Sequence, residues 1–255
     1  MGHKIAVANQ KGGVGKTTTT VNLAAALAEQ GQKVLLVDLD PQGNATSGVG
    51  IDKRKADNTV YEVLTAECTA KEAIVNTCVE NLDLIPANIE LSGAEINLLE
   101  YKNREFCLKK ALSRVQEEYD FILIDCPPSL NLLTVNALTA ADSVLVPIQC
   151  EYYALEGLSQ LLQSVNLVKK RRNKNLTLEG VVFTMYDART NLSAQVVENV
   201  KRTLKENIYE TIIPRNIRLS EAPSHGLPVT KYAPDSTGAN AYRLLASEVI
   251  NHKAE

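Results

Sequence analysis

The sequence predicts an α/β protein, a mostly parallel twisted sheet with helices on both faces. Three observations carry that prediction. Short β-branched runs alternate with longer helical patterns, the runs are apolar throughout, and a glycine-rich segment stands where the first run meets the first helical pattern. Runs such as Val34-Leu35-Leu36-Val37 and Phe121-Ile122-Leu123-Ile124 are what strands covered on both faces require. Regular strand–helix alternation puts crossover helices on the faces and makes the sheet mainly parallel.

In chain order, strands are expected at Lys4–Asn9, Lys33–Asp38, Leu82–Pro86, Asp120–Asp125, Ser143–Pro147, Leu178–Met185 and Tyr209–Pro214. The first helix should run from about Thr17 to Gln30, closed by Gly31. Leu158, Leu161, Leu162, Val165 and Val168 fall on one face of a later helix, and Val196, Val197, Val200 and Leu204 on one face of another. No internal repeat, low-complexity segment or Pro/Gly/Ser linker interrupts the pattern, so one domain is expected over residues 1–255.

Composition narrows the class. With 27 Lys+Arg against 30 Asp+Glu the net charge is −3, which argues against a histone-like protein but leaves room for a local basic face. An apolar content of 45% excludes a disordered chain. No apolar run approaches the ~20 residues of a spanning helix. The opening Met-Gly-His-Lys-Ile-Ala lacks a signal peptide's apolar stretch, and Ala6 excludes myristoylation of Gly2. Cysteines 68, 78, 107, 126 and 150 are odd in number and never spaced as CxxC, so neither zinc nor a disulfide framework is indicated. The expectation is a reducing cytoplasm.

The most informative segment is Asn9-Gln10-Lys11-Gly12-Gly13-Val14-Gly15-Lys16-Thr17-Thr18. It follows a predicted strand and opens a predicted helix, the context in which a glycine-rich motif acquires meaning. Glycines let backbone N–H groups turn toward phosphate oxygens, and the helix N-terminus adds positive partial charge. Lys16 can neutralise β- and γ-phosphate charge, and the Thr17 hydroxyl can ligate Mg²⁺. The usual G-x-x-x-x-G-K-[ST] pattern needs glycine at position 10; this chain has Gln10 and an additional lysine, Lys11.

KGGVGKTT resembles the deviant Walker A motif of the ParA/MinD group of P-loop ATPases. Val37-Asp38-Leu39-Asp40-Pro41-Gln42-Gly43-Asn44 looks like that family's second motif, and Ile124-Asp125-Cys126-Pro127-Pro128-Ser129 like its Walker B. Residues 187–191, 214–216 and 220–226 extend the similarity to nearly the whole chain, nearest the chromosomal ParA (Soj) branch. The resemblance implies an ATP- and Mg²⁺-dependent ATPase, slow without its partner. It places Gly12, Gly13, Val14, Gly15, Lys16, Thr17 and Thr18 on the phosphates, and Met185, Pro214 and Asn216 at the adenine. Thr17, Asp38 and Asp125 would serve the metal, with Asp125 acting through a water, and Asp40 would orient or deprotonate the attacking water. Asp38 could instead cap the turn before Pro41. Lys11 would reach the nucleotide of a second subunit, so that ATP drives a homodimer much as an arginine finger acts in trans.

The same resemblance implies non-specific double-stranded DNA as a ligand, a ParB-type centromere-binding partner and a nucleoid location. Arg189 and Arg218 align with basic residues that the Soj branch applies to DNA phosphates; Lys201 and Arg202, with Lys205, form a further basic cluster. The run Lys169–Arg172 could equally complement a helix C-terminus. His225 is expected to serve a turn or an interface, Cys126 to be small and buried, and Tyr152-Tyr153 to pack rather than stack on bases. A MinD-like membrane ATPase is the alternative, and an ATP-dependent synthetase a third reading. The C-terminal stretch Ala241–Glu255 has an apolar face suited to the sheet and no terminal basic, bulky-apolar segment, so stable membrane association is not expected.

Overall fold

The computed structural model describes residues 2–204 and 207–254. Among these residues eight strands form one sheet: β1 (His3–Val7), β2 (Val34–Asp38), β3 (Val75–Asn76), β4 (Leu82–Ile85), β5 (Phe121–Asp125), β6 (Ser143–Gln149), β7 (Thr177–Tyr186) and β8 (Ile208–Pro214). The order is β3-β4-β2-β5-β1-β6-β7-β8. Every pairing is parallel except that of β3 with β4. All seven expected strands are present. The added β3 has two residues, too short to leave any periodicity in the sequence.

Alternation of side chains across the pleat divides the core in two. Ala6, Leu35, Val37, Ile122 and Ile124 point to one side and are covered by helices Leu132–Ala140, Ala154–Arg171 and Asn191–Leu204. Ile5, Val7, Leu36, Phe121 and Leu123 point to the other, beneath helices Lys16–Glu29 and Thr237–Ala254. Coverage on both sides is why these strands contain no polar alternation.

Helix Thr237–Ala254 buries Tyr242, Leu245, Ala246 and Val249 in that second core, and the Tyr242 hydroxyl meets Thr19 Oγ1 at 3.2 Å. Its apolar face is thus already covered by the protein, as expected. Among the described residues no helix is long and apolar enough to cross a membrane.

The sheet also decides where a ligand can sit. β1 lies between β5 and β6, yet its own crossover leads past β5 to β2, while β5 crosses over β1 to reach β6. Connections therefore diverge at the carboxyl ends of β1 and β5, leaving a crevice there. Register brings Val7 opposite Asp125 and Asp125 opposite Asp38, so both carboxylates end at this crevice.

Candidate nucleotide site

The loop between β1 and helix Lys16–Glu29 is anchored from below and open above. Asn9 Nδ2 donates to Pro147 O at 2.8 Å, Lys11 N–H donates to Asn9 Oδ1 at 3.0 Å, and Thr184 Oγ1 donates to Val14 O at 2.8 Å. Gly13 and Gly15 adopt φ of 74° and 86°, the left-handed region that glycine reaches without strain. A Cβ on Gly12 or Gly13 would meet nothing within 4 Å, so the loop presents its backbone to open space. Gly15 caps the helix with no side-chain partner, leaving the first-turn N–H groups available for an anion.

Lys16 is buried, and its ammonium donates to Lys11 O at 3.0 Å. Burial pushes this amine below its usual range, against the pull of Asp125, Cys126 and Asp40. Thr17 and Thr18 lie half-buried on the first turn.

Two fully buried carboxyls face this helix. Burial, aided by the charge of neighbouring Asp38, pushes Asp125 up to about 7. The Thr17 and Thr20 hydroxyls oppose this rise, and Asp125 Oδ1 accepts from Thr20 Oγ1 at 2.8 Å, but among the described residues its Oδ2 has no partner within hydrogen-bond geometry. An orphaned buried carboxylate oxygen is costly, and it marks a place where a hydrated cation would fit.

Asp38 differs. Its Oδ2 accepts from both the N–H and the hydroxyl of Thr46 at 2.7 Å, and its Oδ1 from Asp40 N–H at 3.2 Å. Burial again raises it, to about 6, with the Thr46 bonds opposing. The turn-holding alternative for Asp38 therefore fits better than direct metal ligation: the carboxyl braces the segment that carries Asp40. Asp40 itself is half-buried, and its Oδ1 accepts from Gln42 N–H at 2.9 Å.

A cavity of about 590 Å³ adjoins the loop, lined by Gly15, Thr18, Met185, Pro214 and Asn216 among others. All three residues expected at the adenine thus share one cavity with the phosphate loop, and its size suits a small organic ligand. Met185 holds φ of 50°, a strained backbone for a residue with a side chain, at the end of β7. Asn216 caps the following short helix by accepting from Arg218 N–H at 2.8 Å, while its Nδ2 donates to Thr237 Oγ1 at 2.7 Å.

The basic residues are dispersed. Arg189 and Arg218 follow β7 and β8, on the same carboxyl edge as the loop. Each is exposed but paired locally: Arg189 grips Asp187 with bonds of 2.9 and 2.7 Å, and Arg218 Nη1 donates to Glu221 at 2.8 Å. Lys201 and Arg202 lie about 15 Å further along helix Asn191–Leu204, counting ~1.5 Å per residue, and Arg202 pairs with Glu198 at 2.6 Å. Lys205 lies outside the described residues. Arg172 bonds Glu105 at 2.9 Å.

Tyr152 and Tyr153 require a correction. They do not pack in the core; they stand 78% and 64% exposed with their rings edge to face at 5.1 Å. Cys126 is fully buried, as expected, and His225, at the end of the short 3₁₀ helix Ala222–His225, stacks on Tyr232. Sequence reading missed Thr20, Thr46, Thr184 and Glu151. Thr20 alone had a local signal, since it lies one helical turn beyond Lys16 on the same face.

Known proteins share this fold. A family model described as an AAA domain matches residues 2–178. The sporulation initiation inhibitor protein Soj of Bacillus subtilis (strain 168) is 60% identical over 249 residues, covering 98% of each chain. The chain belongs to the ParA/Soj family of chromosome-partitioning ATPases. A further family member, the chromosome partitioning protein ParA of Myxococcus xanthus, is 51% identical over 250 residues, covering 98% of this chain and 88% of its own. Among solved structures, cobyrinic acid a,c-diamide synthase from Mycobacterium smegmatis with bound ATP analog and magnesium superposes with a TM-score of 0.88 at 42% identity, covering 100% of this chain and 97% of that one.

Proposed function

We propose that this ATPase is an ATP-switched homodimer that binds DNA without sequence preference. In this reading it drives chromosome or plasmid partitioning in the cytoplasm, on the nucleoid, and a ParB-type centromere-binding protein stimulates its hydrolysis. The observation that carries the reading is the open glycine cradle beside an Asp125 oxygen that has no partner among the described residues, with a second lysine, Lys11, at the loop's start.

In this reading Gly12 to Thr18 surround the phosphates, and Met185, Pro214 and Asn216 line the base. Thr17 and Asp125 hold Mg²⁺, with Asp125 acting through a water. Mg²⁺ held there would supply positive charge beside the phosphates. Lys16 exchanges Lys11 O for phosphate oxygens. Asp40, steadied through Asp38 and Thr46, orients the attacking water, and Lys11 adds positive charge from the other subunit.

Arg189 and Arg218 would give up their carboxylate partners for DNA phosphates, which favours weak binding by one subunit and firmer binding by two. The synthase named above raises a biosynthetic reading, but the greater identity to Soj, 60% against 42%, favours partitioning. Helix Thr237–Ala254 packs Tyr242, Leu245, Ala246 and Val249 into the core, which favours partitioning over a membrane role.

Light scattering tests the switch. Asp40→Ala should have dimer mass with ATP and monomer mass with ADP, and adding Lys11→Ala should return it to monomer. A monomer in ATP despite bound nucleotide would refute the switch.

A further inference from the structure

Residue 11 is tied at three points, all within its own chain. Its N–H donates to Asn9 Oδ1 at 3.0 Å, its carbonyl accepts from Lys16 Nζ at 3.0 Å, and its ammonium donates to Glu151 Oε2. Glu151 lies 140 positions away, just past β6, where its N–H turns back onto Gln149 O at 2.8 Å. The Lys11 and Glu151 side chains are 39% and 45% exposed, so solvent weakens the pair without abolishing it. Immediately after Glu151 stand Tyr152 and Tyr153, two exposed aromatic side chains in edge-to-face contact.

We propose that Glu151 is a latch: a positioning residue that holds Lys11 in its own chain and yields it to a second copy, whose docking face covers Tyr152 and Tyr153. The inference rests on the dimer reading above and adds a regulation to it. A lysine engaged by Glu151 is not available to a neighbour's nucleotide, so dimerisation must break this pair. One of the three ties depends on Lys16, the group that phosphate would draw away; nucleotide entry therefore loosens residue 11 in the subunit it enters. The aromatic pair supplies apolar contact of the kind enriched at protein interfaces. A half-exposed pair tunes the equilibrium rather than blocking it, contributing a factor of about three to five. Each dimer opens two latches, so the factor enters twice.

The test uses Asp40→Ala protein at saturating ATP, with the dimer dissociation constant read by light scattering. Adding Glu151→Gln should lower that constant about 10- to 25-fold, and Glu151→Asp should restore it toward the parent value. In nucleotide-free protein, Glu151→Gln should raise acylation of the Lys11 amine, read by mass spectrometry; a structural role alone would not move this readout at one lysine. Tyr152→Ser with Tyr153→Ser should weaken the dimer without changing Lys11 acylation. An unchanged or raised constant for Glu151→Gln, with the parent dimerising, overturns the latch alone. A parent that stays monomeric in ATP removes the switch and the latch together. An unaltered dimer in the double tyrosine variant removes the docking face.

Discussion

The two ends of the sheet bury carboxyl groups to opposite effect. At the carboxyl end Asp125 is fully buried, raised, and keeps an oxygen without a partner among the described residues. At the amino end Glu179 is also largely buried, yet His3 Nε2 meets one of its oxygens at 2.9 Å and Tyr209 OH donates to the other at 3.3 Å. Burial tends to raise the Glu179 carboxyl, but these bonds outweigh it and hold the group below the usual range. The contrast separates a brace from a site. The amino end is satisfied by the chain itself, whereas the carboxyl end carries a cost that a cationic ligand would remove.

The comparison can be broken most severely at Lys16. Lys16→Ala should reduce ATP affinity at least about 100-fold, because the loop loses its buried positive charge; calorimetric titration would show it. No comparable loss should follow Lys4→Ala at the amino end, although Lys4 is also buried and paired with Asp142 at 3.0 Å.

Neutralising each buried carboxyl sharpens the point. Asp125→Asn should stabilise the nucleotide-free protein by about 1–3 kcal/mol at pH 8 while weakening Mg²⁺-dependent nucleotide binding. Glu179→Gln should destabilise it by about 1–2 kcal/mol and leave nucleotide binding intact. Urea unfolding with and without Mg-ATP would distinguish these effects. Destabilisation by both variants would erase the distinction between the two ends.

The pH dependence follows with opposite signs. Asp38 and Asp125 are raised to about 6 and about 7, so the folded protein holds more protons than the unfolded chain from near pH 4 up to neutrality. Stability of the nucleotide-free protein should therefore fall as pH rises through that window. Glu179 is lowered, so its contribution is present above the unfolded carboxyl range and lost as pH falls through its folded value. Unfolding midpoints should peak at about pH 4 to 4.5, and Asp125→Asn should flatten the decline on the alkaline side.

The smallest effect concerns the exposed arginines. Arg189→Ala with Arg218→Ala removes four cations from a dimer and should reduce the salt slope of DNA affinity by about 3 to 4. An unchanged slope would mean that DNA contacts another face.

Much of this was legible in the sequence because local physics decided it. Unbroken apolar runs located the seven longer strands, and glycines before Gly15-Lys16-Thr17 located the loop. The resemblance then gathered Met185, Pro214 and Asn216 around one cavity. What escaped was set by distance along the chain. Glu151 meets Lys11 across 140 positions, and Glu179 meets His3 across 176, so no local pattern could pair them. Tyr152 and Tyr153 were misread because a tyrosine pair before a helix resembles a packing element, and exposure is decided by the rest of the fold. Asp38 ends β2 and Asp40 lies two residues beyond it; sequence alone gives both the look of strand-end carboxylates, and the Thr46 bonds to Asp38 are visible only in the fold.

The most direct measurement of the central claim is retention of Asp40→Ala protein on DNA of unrelated sequences, with ATP and with ADP, while its mass is read by light scattering. The account predicts a dimer held on every DNA with ATP, and a monomer released with ADP. A dimer that forms with ATP but ignores DNA, or binding that is the same with either nucleotide, would contradict it.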